Sequence, residues 1–171
     1  MSQNHPLVIQ LRFARSSFML CLEKVTAQDA QVRLKEMNSL SWTIGHLANQ
    51  ENRYWVQSAQ NKTIYPKLND LVGYGKPAST PMLTEMWSTW KMVTTEADRF
   101  LDTVTSEKLE EYFMGADKSY PESIGTMLLR NIYHYWYHIG ESRTIREMMG
   151  HDNLPEYVGN MSQAVYQREK K

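Results

Sequence analysis

The sequence predicts an all-α chain built on four long helices, and three observations carry that prediction. Apolar residues recur at three- and four-residue spacing in four long segments. Stretches containing Gly, Pro, Asn and Ser separate those segments. No convincing strand is visible, and 8 glycines and 6 prolines in 171 residues favour helices over many short strands.

The first helix is predicted over residues 6–23, with Leu7, Leu11, Phe18 and Leu22 among its apolar positions. The second starts near Asn38 and Ser39, both good N-cap residues, and continues to about Gln60. Residues 61–79 follow as a long connection with Pro66, Gly73, Gly75 and Pro77. A loop of that length is often functional or crosses the end of a bundle. Thr80 and Pro81 are expected to open the third helix as cap and first residue. Met86, Trp90, Val93, Ala97 and Phe100 then repeat at helical spacing, and residues 105–113 read as a short extra helical piece. The fourth helix is expected to open within residues 119–123, with Pro121 and Glu122 in its first turn, and to end at Met149 before Gly150. Four such helices make an up-down bundle the simplest architecture. The expectation is one domain over residues 1–171, with residues 151–171 packing on the bundle.

Composition narrows the function classes. Basic and acidic side chains number 19 each, for a net charge of zero. No basic run appears beyond the short Arg168-Glu169-Lys170-Lys171 tail, so nucleic acid is not the expected partner. Cys21 is the lone cysteine, which excludes an intramolecular disulfide. Residues 1–6 are short and polar and lead into no apolar signal region. No apolar run approaches the roughly 18–20 residues that cross a bilayer. The expected setting is the cytoplasm, away from membranes. A chain this long can bury about 70% of its unfolded surface. Any metal is therefore expected to be functional.

His134 and His138 lie four residues apart in the fourth helix, one turn apart on one face. Two imidazoles so placed can reach one metal ion at about 2.0–2.1 Å. Their stripe reads Met127, Asn131, His134, His138, Glu141, Ile145, Met149, apolar at both ends and polar in the middle. Burying a polar side chain without a partner costs roughly 1–3 kcal/mol. A bound cation would satisfy the cluster, as would a hydrogen-bonded polar network or exposure to solvent. His46 lies in the second helix beside Gly45, which would let another helix approach closely. Its wheel position is ambiguous. The apolar stripe is Leu40, Ile44, Leu47, Ala48 and Trp55, and Glu51 falls on it while His46 sits well round from its centre. By periodicity alone, Glu51 is as good an inward polar group as His46.

The segments Asn38-Ser39-Leu40-Ser41-Trp42-Thr43-Ile44-Gly45-His46-Leu47 and His134-Tyr135-Trp136-Tyr137-His138-Ile139-Gly140-Glu141 resemble the DinB (YfiT-like, DinB/DUF664) superfamily. Leu154-Pro155-Glu156-Tyr157-Val158-Gly159 is similar to the tail of some members. The resemblance implies an up-down-down-up four-helix bundle with the long crossover after helix two. It also implies a three-histidine site for a divalent metal, commonly nickel or zinc, with His46, His134 and His138 as ligands, and frequent homodimers. Characterised relatives include S-transferases using mycothiol, bacillithiol or glutathione, and a maleylpyruvate isomerase. The implied activity is metal-dependent thiol transfer, or a related hydrolysis or isomerisation, on a small-molecule substrate. Glu141 could orient a ligand ring or move a proton, and Gln50 and Asn131 could support the ligands by hydrogen bonds. The alternative is a homodimeric protein that binds a metal or small ligand without catalysis.

Remaining side chains suggest packing. Cys21 reads as a buried small residue, the methionines as core filler, and His5 and His151 as surface residues. The aromatics Trp42, Tyr54, Trp55, Trp87, Trp90, Tyr133, Trp136 and Tyr137 read as core and interface, with some lining a pocket. No Gly-rich phosphate loop, Ser/His/Asp order or paired-carboxylate motif stands out.

Overall fold

A computed structural model describes residues 4–115, 118–156 and 158–167. The chain is all-helical, with no strand among the described residues beyond an isolated Met114–Ser119 bridge. The helices are α1 (Pro6–Cys21), α2 (Ala27–Gln31), α3 (Leu40–Glu51), α4 (Leu68–Val72), α5 (Leu83–Leu101), α6 (Ser106–Glu110) and α7 (Ile124–Met148). A π-helical segment, Asn52–Ser58, continues α3.

The local reasons are legible residue by residue. Pro6 opens α1, where its missing N–H costs nothing, and the His5 ring accepts from the Leu7 N–H at 3.1 Å. The helix stops two residues short of the expected Glu23, and Lys24 then takes a left-handed φ of 63°. Ser39 caps α3 as expected by accepting from the Trp42 N–H. The connection at 61–79 is not structureless. Leu68 and Val72, both fully buried, anchor the single turn of α4, and two apolar residues are too few to show as periodicity. The third helix opens at Leu83 after an extended Met82, not at Thr80–Pro81. The Thr80 carbonyl is instead taken by Gln31 Nε2 at 2.8 Å. Ser123 caps α7, so Pro121 and Glu122 precede it. That approach is held by backbone bonds from Tyr120 to Phe113 and from Ile124 to Glu111. Gly150 ends the helix at φ 78°, as expected.

α1 packs on α7, α3 packs on both α5 and α7, and α4 lies against α3. The core between them includes Leu11, Phe18, Ile44, Leu47, Trp55, Met86, Leu128 and Ile139. Glu51, on the apolar stripe of α3, is fully buried and pairs with Arg15 of α1. Arg15 also reaches Asp98 of α5 at 2.8 Å. Tyr135 of α7 donates to Glu51 at 2.6 Å and accepts from Trp90 Nε1 at 2.8 Å. One buried polar network therefore ties four helices. Burial opposes the Arg15 charge, but Glu51 holds its pKa well above the usual value. Burial, with the Glu51 charge, pushes the Tyr135 hydroxyl well up.

Two expectations on packing change. Among the described residues, Met86 and Met127 are buried in the core and Met37 and Met149 pack against it, while Met19, Met82, Met92, Met114, Met148 and Met161 are exposed. They sit on outward helix faces or in connections, where flexibility fills no gap. His5 and His151 are half-buried, and His151 Nδ1 accepts from Arg146 at 3.2 Å. Cys21 is buried as expected, and burial pushes its thiol pKa up. In the tail, Ala164 is buried and its carbonyl accepts from Gln10 Nε2 at 3.0 Å. Arg143 donates to the Pro155 carbonyl at 2.9 Å. Tyr157 and the Arg168–Lys171 tail lie outside the described residues. No described helix is long and apolar enough to cross a membrane.

Candidate metal centre

α3 supplies His46, and α7 supplies His134 and His138. Their ligand-capable atoms lie within 4.8 Å of one another. The ring centroids are 4.9 Å apart for His46–His134, 5.3 Å for His46–His138 and 4.6 Å for His134–His138.

Each ring is held from behind. Gly45 lets α4 and α5 crowd against α3: a Cβ there would stand 2.5 Å from Met86 Sδ and 3.0 Å from a Val72 methyl. That close approach brings the Val72 carbonyl to His46 Nδ1 at 2.8 Å. The His46 ring also stacks on Trp42, 4.3 Å away and 14° from parallel. His138 Nδ1 meets Glu141 Oε2 at 2.6 Å. His134 Nδ1 meets Gln50 Oε1 at 2.9 Å.

The His134 contact has a chemical direction. An indole N–H only donates, so Trp55 Nε1 requires the Asn131 oxygen as its acceptor at 2.8 Å. The Asn131 amide then donates to Gln50 Oε1 at 2.8 Å. Gln50 therefore presents oxygen to His134, whose Nδ1 must carry the proton. Val72 and Glu141 likewise present acceptors to the other two rings. All three Nε2 atoms are left as lone-pair donors, the tautomer that metal-ligating histidines adopt.

His134 Nε2 and His138 Nε2 stand 3.0 Å apart. Two facing lone pairs at that distance repel. One divalent ion shared by the two nitrogens would remove that repulsion. Two nitrogens each about 2.0–2.1 Å from one ion, at angles of 90–109°, stand roughly 2.8–3.4 Å apart. The donor set thus fits one divalent ion. Burial, opposed by the Val72 hydrogen bond, lowers the His46 pKa to about 4. Burial and the neighbouring histidines lower that of His134 to about 3. Both rings are neutral at pH 7, the form a metal requires.

Two of the histidines, His46 and His134, open into a cleft of about 730 Å³. His46, His134 and Gln50 line it with Tyr54, Tyr133 and Tyr137. Every residue expected at the site is there, in different places. Gln50 touches both a histidine and the cleft, Asn131 sits fully buried behind Gln50, and Glu141 backs His138 outside the cleft lining. Glu51, the open alternative to His46, faces Arg15 on the other side of α3. Sequence reasoning missed Val72, which acts through its backbone, and the polar role of Trp55, which reads as core.

These features define an all-helical protein with a three-histidine cluster beside an aromatic cleft. The DinB superfamily model matches residues 10–142, and the chain belongs to that superfamily. No curated protein matches the sequence.

Proposed function

We propose that the protein is a metal-dependent enzyme in which His46, His134 and His138 hold one divalent ion, nickel or zinc. Its co-substrate is a low-molecular-weight thiol, and the reaction is S-transfer or a related hydrolysis or isomerisation. The carrying observation is the convergence of three Nε2 lone pairs, two of them 3.0 Å apart, beside a cleft that His46 and His134 line. A divalent ion there supplies a Lewis acid that lowers the pKa of a water or thiol.

The chain's own residues do the rest. Val72, Gln50 and Glu141 fix the three rings in one orientation before any ligand arrives. Glu141 is spent on His138, so it orients that ring and does not move a proton in the cleft. Tyr54, Tyr133 and Tyr137 give the substrate an aromatic wall. An up-down-down-up bundle, with residues 61–79 as the crossover, and a homodimer working in the cytoplasm complete the proposal.

Metal-loaded protein is to be offered mycothiol, bacillithiol or glutathione with an electrophile such as monochlorobimane. Conjugation that depends on metal and is lost in His134→Ala is the expected result. Stoichiometric metal without turnover by any of the three thiols would instead mark a non-catalytic binding protein.

A further inference from the structure

Among the described residues, every arginine but one has a carboxylate, carbonyl or ring-nitrogen partner. Arg53 is the exception: no hydrogen bond or ion pair engages its guanidinium. It is exposed at the cleft that His46 and His134 line. Arg130 lines the same cleft, but Glu122 neutralises it through a two-point contact. No acidic side chain lines the cleft. Arg53 also belongs to a neighbouring cleft of about 560 Å³, which shares Asn49 and Tyr74 with the first. Carboxamides dominate that second lining through Asn49, Asn52, Gln57 and Asn69, and it too has no carboxylate.

We infer that Arg53 anchors an anionic group of the ligand, so that the protein takes small carboxylates or phosphates with an aromatic or apolar body. A guanidinium presents five donors in a planar fork that matches either oxyanion. His46 and Arg53 lie on one continuous helical stretch, roughly 10 Å apart along its axis. A ligand whose head reaches the histidines can therefore place its anionic end against Arg53, with its body along Tyr54 and Tyr74. Three neutral imidazoles leave the charge of a divalent ion uncompensated, which favours an anionic ligand further. That last point rests on the metal proposed above. The unpaired arginine and the acid-free linings do not.

The test uses two probes of one shape, 4-phenylbutyrate and 4-phenyl-1-butanol, by calorimetry on metal-free and zinc-loaded protein. Metal-free wild type is expected to bind the carboxylate about tenfold tighter than the alcohol, as a charge-assisted contact gives, and the preference should grow in zinc-loaded protein. In metal-free protein Arg53→Gln should reduce that preference to within about twofold, and Arg53→Lys should retain part of it. Phenyl phosphate set against phenol then shows whether phosphate is preferred to carboxylate. In metal-free protein, equal binding of acid and alcohol by wild type, no binding of either, or an undiminished preference in Arg53→Gln overturns the inference. Failure of the metal proposal shows separately, as protein that takes up no zinc.

Discussion

Gly45→Ala and Gly140→Ala are the same chemical change on two helices, and the packing predicts opposite signs. An alanine in a helix interior gains about 1 kcal/mol over glycine from propensity. At Gly140 an added Cβ meets nothing within 4 Å, so most of that gain should appear. At Gly45 the Cβ would stand 2.5 Å from Met86 Sδ and 3.0 and 3.3 Å from the Val72 methyls. Met86 and Val72 are both fully buried, so neither has open space to enter. Overpacking of this kind costs about 1–3 kcal/mol. The flexible Met86 end keeps it in the middle of that range, for a net loss of about 1 kcal/mol. The two variants should therefore differ by roughly 1.5–2 kcal/mol in urea unfolding of metal-free protein, at unchanged m. Displacing Val72 also moves the carbonyl that holds His46. Metal affinity should then fall about tenfold in Gly45→Ala, as when such supporting contacts are lost, and stay unchanged in Gly140→Ala. Equal stabilisation by both substitutions, with metal affinity intact, would refute the close approach at Gly45 as the device that positions His46.

Glu51→Gln leaves Arg15 buried with Asp98 as its remaining carboxylate. The expected cost is about 2–4 kcal/mol, below the full cost of an unpaired buried charge because Asp98 stays. Urea unfolding measures it, and a loss under about 1 kcal/mol would mean the ion pair contributes little. Trp55→Phe removes the donor that forces Asn131 and Gln50 into one orientation. Imidazole nitrogen chemical shifts in metal-free protein should then show His134 in mixed tautomers, and a single Nδ1–H form would contradict the relay. The metal-free fold should lose stability as pH falls from about 7 toward 4. His46 and His134 are lowered to about 4 and about 3, whereas unfolded imidazoles titrate near 6.5. The unfolded chain therefore takes up protons first. A double His46→Gln, His134→Gln variant should flatten that loss between pH 7.5 and 5, and an unchanged slope would count against neutral buried rings.

The helical class is legible because core positions such as Met86, Trp90, Val93 and Ala97 of α5 repeat at the spacing of one buried face. The cap Ser39 reads correctly, whereas Ser123 caps α7 and leaves Pro121 and Glu122 ahead of the first turn expected to hold them. Thr80 misleads because its carbonyl serves Gln31 and not a helix. The pair His134 and His138 is legible from spacing and from the polar break in its stripe. His46 is not, since a wheel ranks residues by apolar neighbours and its partners come from a backbone carbonyl and a stacked indole. Glu51 does point inward, but to Arg15, a contact between residues far apart in sequence that no local pattern encodes. Arg53 gives no signal in sequence, because only the fold shows which arginines find partners.

The central claim is that three histidines hold one divalent ion, and elemental analysis of untagged protein tests it most directly. After exposure to zinc or nickel and removal of excess, wild type should retain about one ion per chain, and His134→Ala, folded by circular dichroism, should retain almost none. Near-zero metal in both proteins, or equal metal in both, would contradict the site.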